Sequence, residues 1–337
     1  MSFMPDSKST VLTDRFGRVV NYLRLSVTDR CDFRCVYCMA EDMVFVPRQQ
    51  LLTLEELAFV GQAFVELGVS RIRLTGGEPL VRRNLMSLVH SLGKLPGLDE
   101  LLLTTNGARL ESVAGELVNA GVKRINISLD SLQPLRFAAI TRTGELHRVL
   151  SGIAAAKRAG IERVKINAVI MRGQNDDEVI ALLDFALEHG LDISFIEEMP
   201  LGVTSRSDRQ KELVSSQEIR ARIGRFYPLM ASAETSPGPS RYYRIPGSNS
   251  RIGFISPNSH NFCESCNRVR VTCEGQLLLC LGNEHSVDLR AVIRAHPGDM
   301  AALKTTIVEA MAIKPERHHF YDPDQPQVVR FMNATGG

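Results

Sequence analysis

Cys31, Cys35 and Cys38 stand in the spacing C-x3-C-x2-C, three thiols within eight residues. Thiolates are soft ligands that select zinc, copper(I) or iron–sulfur clusters. Three is one short of what a structural zinc or a fully ligated four-iron cluster takes. A three-thiol cluster would leave one iron open to a reactive ligand. A second group follows at Cys263-x2-Cys266-x13-Cys280, with Cys273 inside it. From spacing alone two readings stay open. Cys263, Cys266, Cys273 and Cys280 could bind one structural zinc, or Cys273 could be a small buried residue beside a second triplet.

The elements that position these thiols show in the periodicity. Tyr22–Val27 alternates and reads as a strand, with the first cysteines in the loop after it. Thr53 with Glu56 is a capping box, and it predicts a helix carrying Leu57, Val60, Phe64 and Leu67 that stops at Gly68. A repeat then begins. Gly68-Val69-x-x-Ile72-x-Leu74 is echoed at Gly97, Gly121 and Gly160, and one residue shorter at Gly190. Helical patterns lie between the echoes: Leu85/Leu88/Val89/Leu92, Leu110/Val113/Leu117, Val149/Ile153/Ala156 and Val179/Leu182/Leu183/Ala186. Strands alternating with helices predict parallel βα units with right-handed crossovers.

Six strands in all, with polar residues at their C-terminal ends, predict a partial (β/α)6 barrel in which residues 18–200 carry the site. These are Thr75-Gly76-Gly77-Glu78, Thr104-Thr105-Asn106, Ser128-Leu129-Asp130, Asn167 and Glu197-Glu198-Met199. Residues 1–17 read as an arm. Residues 201–337 read as an α+β region that covers the barrel's open side. Within it are a charged stretch at 203–225 (Arg206, Arg209, Lys211, Glu212, Arg220, Arg222, Arg225), a Ser/Pro loop from Ser232 to Ser240, and a hairpin of Tyr242–Ile245 with Ile252–Ile255. Helices are expected near 286–295 and 299–314.

The chain has 337 residues, 44% hydrophobic and 23% charged, a soluble globular balance. A net charge of +2 gives no bulk attraction to nucleic acid or membrane. No apolar run is long enough to span a bilayer, and Met1–Val11 lacks a signal-peptide core. Seven cysteines without export signals point to metal in a reducing compartment, so the cytoplasm is expected.

The first thiol group with aromatic Tyr37 before its last cysteine, and Gly76-Gly77-Glu78-Pro79 after the second strand, resembles the radical S-adenosylmethionine enzymes. The resemblance implies a [4Fe-4S] cluster on Cys31, Cys35 and Cys38 whose open iron binds S-adenosylmethionine. Reductive cleavage of that cofactor would then yield a 5′-deoxyadenosyl radical. Tyr22–Cys31, Arg268-Val269-Arg270 and the terminal Gly336-Gly337 resemble, more narrowly, the branch of the family that rearranges GTP in molybdenum cofactor biosynthesis. That likeness runs from about Phe16 to the last residue. It implies a second [4Fe-4S] cluster on Cys263, Cys266 and Cys280 that faces the first and binds guanine. It implies GTP contacts at Arg24, Arg73, Thr104, Lys165, Arg268, Val269 and Arg270, with Arg24, Arg268 and Arg270 as catalytic residues. It implies S-adenosylmethionine contacts at Tyr37, Gly77, Ser128 and Met199, and a glycine tail that enters the site.

Each of those cations seen alone would be an ordinary strand-end charge. Arg24 and Lys165 fall inside predicted strands, where an unpaired charge is costly, so an anion in the interior explains them better. The implied partners are a reductant protein and a downstream cyclic pyranopterin monophosphate synthase, with a homodimer left open. Two alternatives stand beside this reading: a peptide-modifying radical enzyme with auxiliary clusters, and a zinc-stabilised binding module.

Overall fold

The structure, a computed structural model, describes residues 11–202, 213–234, 238–260, 262–318, 320 and 328–336. The expected arm 1–17 lies partly outside these residues, as do Arg206, Arg209, Lys211, Glu212, part of the Ser/Pro loop, and Gly337.

Six strands follow the predicted order: β1 (Tyr22–Ser26), β2 (Arg71–Thr75), β3 (Glu100–Thr105), β4 (Val122–Ser128), β5 (Arg163–Ile170) and β6 (Asp192–Glu197). Each pairs in parallel with the next. The repeat glycines Gly68, Gly97, Gly121, Gly160 and Gly190 all take positive φ, from 61° to 91°. That conformation ends the preceding chain segment and turns it into the next strand at no Cβ cost. The capping box forms as expected. Thr53 Oγ1 accepts from the Glu56 amide at 3.1 Å, and Glu56 Oε2 accepts from the Thr53 amide at 2.7 Å.

The second half does more than cover one side. β9 (Ile252–Ile255) pairs in parallel with β6, and β10 (Arg268–Val271) pairs in parallel with β1. β7 (Met230–Ala231) and β8 (Arg241–Arg244) continue antiparallel beyond β9. β11 (Gln276–Leu278) and β12 (Ser286–Asp288) continue antiparallel beyond β10. The described residues thus form one twelve-stranded sheet, ordered β12-β11-β10-β1-β2-β3-β4-β5-β6-β9-β8-β7.

The predicted hairpin is β8–β9. The helix expected from 286 begins instead at Leu289. Ser286–Asp288 pairs with β11 first, and the Asp288 carboxylate then caps the helix by accepting from the Ala291 amide. The Leu110/Val113/Leu117 pattern is not one helix. It is a 3-10 turn, Leu110–Ser112, and a short helix, Ala114–Asn119, on either side of Val113. A helix at Pro134–Thr141 has no counterpart in the periodicity reading.

Parallel sheets are usually apolar on both faces. Here one face is: Leu23, Leu25, Ile72, Leu74, Leu103, Ile125, Ile127, Ile166, Ile193 and Phe195 are buried in the helix-packed core. The other face is polar. Tyr22, Arg24, Arg73, Asn126, Lys165, Asn167 and Asp192 line a cavity with Arg268 and Arg270. Strands from opposite ends of the order meet around that space, so the sheet curls about it.

Candidate active site

Two cavities adjoin on the polar face. The smaller is lined by Cys31, Cys35, Cys38, Tyr37, Thr75, Gly76, Gly77, Thr104, Ser128 and Asp130, among others. The larger is lined by Cys263, Cys266, Cys280, Arg24, Arg73, Lys165, Arg268 and Arg270, among others. Asn167, Ile196, Met199 and Met332 line both and form the shared wall. The larger spans about 1430 Å³ including its open mouth, and both a thiol triplet and a group of cations face into it.

The first thiol loop is fixed by close backbone packing. The Gly77 amide donates to Thr28 O at 2.7 Å and the Glu78 amide to Arg30 O at 2.8 Å. A Cβ on Gly77 would lie 2.4 Å from Arg30 O, so only glycine allows this approach. Beyond it Glu78 is fully buried and accepts from the Leu80 and Asn106 amides and the Thr105 hydroxyl. Burial outweighs those donors and raises its carboxyl to about 7. Tyr37 donates to Asp130 Oδ2 at 2.8 Å, and burial raises Asp130 to about 6.

Burial also pushes the thiols of Cys31 and Cys35 far up, and that of Cys38 to about 12. Neutral buried thiols become ligands only when a metal replaces the proton. Three soft thiols facing one cavity are the donor set an iron–sulfur cluster takes, each thiol on its own iron.

The second triplet has a different setting. Burial raises Cys263 and Cys280, but Lys314 and Arg268 overcome burial at Cys266 and lower its thiol. Cys273 lines neither cavity. It is 1% exposed, burial lifts its thiol to about 12, and its carbonyl accepts from the Leu52 amide. The four-thiol zinc reading loses its fourth member.

Five cations of the larger cavity converge. Arg24 is in register with Arg73 on β2 and with Arg270 on β10. Burial, then Arg270, holds the Arg24 guanidinium well below its usual range. Burial, then Arg268, brings Arg270 down to about 10. Burial also lowers Lys165. Arg73 donates to the Tyr22 hydroxyl at 2.5 Å and to Leu103 O at 2.8 Å. Burial would raise Tyr22, but the arginines, Arg73 foremost, win and lower it to about 8. Asp192 is engaged by Arg251 at 2.6 Å, and among the described residues none of the five cations forms an ion pair with a carboxylate. Such a field wants a polyanion.

The tail reaches this place. Arg24 and Arg270 both donate to Gly336 O, and a Cβ on Gly336 would lie 2.2 Å from Thr75 Oγ1. Met332 N donates to Cys38 O at 3.2 Å, and Asn333 Nδ2 to Asp29 O at 3.0 Å.

Tyr37, Gly77 and Ser128 line the smaller cavity, and Met199 lies on the shared wall. Two positions differ from the resemblance. Thr104 lines the smaller cavity, touching the cation cluster only through Arg73 at 3.5 Å. Val269 lines the larger one, but its side chain joins the apolar core, because alternation along β10 turns it away from Arg268 and Arg270. Sequence reasoning missed Lys314 and Tyr22 as cavity or thiol neighbours, whereas Asn167, expected as a strand-end polar residue, lines both cavities. Tyr22 could have been found, since it shares a strand face with Arg24.

Family models match in two pieces: the radical SAM superfamily over residues 25–186, and Molybdenum Cofactor Synthesis C over residues 191–320. Full-length relatives decide the matter. A GTP 3′,8-cyclase of Ectopseudomonas mendocina is 58% identical over 97% of this chain and 98% of its own. Those of Pseudomonas entomophila and Marinobacter nauticus are each 59% identical over 97% of this chain, and over 98% and 99% of their own. The chain belongs to the GTP 3′,8-cyclase family. The fold is also that of SuiB from Streptococcus suis, 14% identical, with a TM-score of 0.60 over 86% of this chain and 67% of that one. Members of the GTP 3′,8-cyclase family need sites for a cofactor and a nucleotide, and two adjoining thiol-lined cavities are what this chain has to offer.

Proposed function

We infer that this chain is a GTP 3′,8-cyclase, a lyase that converts GTP to (8S)-3′,8-cyclo-7,8-dihydroguanosine 5′-triphosphate in molybdenum cofactor biosynthesis. The observation that carries this reading is the pair of cavities. Each has three thiols, they share one wall, and five cations converge in one of them.

Cys31, Cys35 and Cys38 would hold one [4Fe-4S] cluster, and Cys263, Cys266 and Cys280 the other. With S-adenosylmethionine bound, the first cluster would supply radical chemistry at the ribose. Tyr37, Gly77, Ser128 and Met199 would seat S-adenosylmethionine. Arg24, Arg73, Lys165, Arg268 and Arg270 would clamp the triphosphate, with Thr104 and Val269 as the outer members of the GTP set. Arg24, Arg268 and Arg270 are the catalytic candidates, because a guanidinium can fix an anion bidentately while it stays charged. The shared wall brings the two ligands together and keeps water out, so that one hydrogen is presented to the radical.

The curled parallel sheet supports a partial (β/α)6 barrel over residues 18–200. Residues 201–337 would then close its open side and hold the second cluster and the Gly-Gly tail. A reductant protein would feed the first cluster and a cyclic pyranopterin monophosphate synthase would consume the product. We place the enzyme in the cytoplasm as a monomer or homodimer. Among the described residues no helix is long and apolar enough to cross a membrane. The test is anaerobic incubation with S-adenosylmethionine, a reductant and GTP. 5′-Deoxyadenosine should form with GTP and fall away without it. Equal cofactor cleavage in both would sink the substrate assignment.

A further inference from the structure

Lys314 is 1% exposed, among the largest fully buried side chains of the molecule. Its ammonium donates to Leu279 O at 2.6 Å, to Arg268 O at 3.0 Å and towards Cys266 Sγ at 3.6 Å. These partners are one thiol of the second triplet, the neighbour of another (Cys280), and a cation of the cavity wall. One side chain thus ties together the ends of three segments that must converge. A buried ammonium is costly without an anion. Among the described residues no carboxylate pairs with Lys314. The anion within its reach is the Cys266 sulfur, once deprotonated.

Other cations stand beside the second triplet. Arg268 and Arg270 line the same cavity, and Arg18, paired with Asp14, donates to Cys263 O at 2.8 Å. The potential of an iron–sulfur cluster rises with positive charge nearby and with hydrogen bonds to its sulfurs.

We propose that Lys314 is the positioning residue of the second cluster, and that its ammonium beside Cys266 raises that cluster's reduction potential. This rests on reading Cys263, Cys266 and Cys280 as cluster ligands.

The experiment is a redox titration followed by electron paramagnetic resonance, with iron counted first. Cys31, Cys35 and Cys38 are replaced by alanine so that only the second cluster titrates. In that background Lys314→Gln, which keeps a donor but loses the charge, should make reduction at least tenfold less favourable, a downward shift of about 59 mV for one electron. Lys314→Arg should keep the parent value. Equal potentials in the Gln variant and its parent would overturn the role of Lys314 while leaving the cluster reading intact. If Lys314→Gln loses its iron, Lys314→Arg decides. Full iron at the parent potential supports the role, and a folded but iron-free Arg variant overturns it. Zinc in place of iron in the parent would overturn the cluster reading itself, and this inference with it.

Discussion

Glu78 accepts from three donors but has no cationic partner among the described residues, and burial sets its behaviour. Its carboxyl moves from 4.5 to about 7. A pKa raised on folding gives stability that is complete below the unfolded value and is lost as pH rises through the folded one. The metal-free chain should therefore lose stability from about pH 4 to pH 7, by about 3 kcal/mol from this group. Asp130, raised to about 6, adds to the slope with the same sign. Thermal midpoints of the metal-free protein at pH 5 and pH 8 measure it, and Glu78→Gln should flatten the difference. An unchanged slope in that variant would remove Glu78 from the account.

Arg24 presents the converse case. It is held against Arg270 and Arg73 and has no carboxylate partner among the described residues, so without a ligand it works against the fold. Arg24→Met should raise the unliganded stability by about 1 kcal/mol, as replacing buried charge by apolar volume often does. The same variant should weaken GTP at least tenfold, because a charge-assisted bond is worth about 1.5–3 kcal/mol. Paired melting and equilibrium-binding measurements check both. A variant that loses stability along with affinity would mean that Arg24 serves the fold instead.

At the scale of elements, the helix Leu146–Arg158 offers a test of sign. Gly→Ala inside a helix ordinarily stabilises by about 1 kcal/mol. A Cβ on Gly152 would lie 2.2 Å from Gly107 O, the backbone of the turn after β3. Gly152→Ala should instead destabilise by about 2 kcal/mol or more, through overpacking against backbone that cannot yield. Gly115 in the helix Ala114–Asn119 has nothing within 4 Å of its Cβ position, and Gly115→Ala should stabilise. Opposite shifts in the two midpoints are expected. A Gly152→Ala chain as stable as the parent would show that the turn relaxes freely.

The same scale separates what was legible in the sequence from what was not. β2 to β6 repeat one unit: each strand follows a helix-ending glycine, and four of the five repeat units keep the same glycine-to-strand spacing. Those cues are local. The pairing of β10 with β1 and of β9 with β6 joins segments more than fifty residues apart, and no periodicity in Arg268–Val271 names its neighbour. At the site, the thiol spacings and the cations inside strands were readable because those residue types are out of place in a core. Lys314 was not, since a lone lysine before a proline reads as surface, and only its fold context buries it. The same limit applied at Ser286–Asp288, where a three-residue strand preceded the helix that periodicity had extended across it.

For the whole molecule, the continuous sheet predicts how far its halves depend on each other. The two family matches divide the chain between residues 186 and 191, which falls between β5 and β6. No edge of the sheet lies there. A fragment ending at residue 200 would keep β1 to β6 but expose the free edge of β1 where Arg268–Val271 paired, and that of β6 where Ile252–Ile255 paired. It would also uncover the polar face, where Asp192 loses its partner Arg251 and Arg24 loses the carbonyl of Gly336. Long unpaired parallel edges invite association with other chains. The fragment alone should associate or melt without a cooperative transition, and co-expression with residues 201–337 should restore a single one. Sedimentation and calorimetry distinguish the outcomes. A monomeric fragment with its own sharp transition would mean that β9 and β10 are additions to a finished domain, and that the first cavity is complete without them.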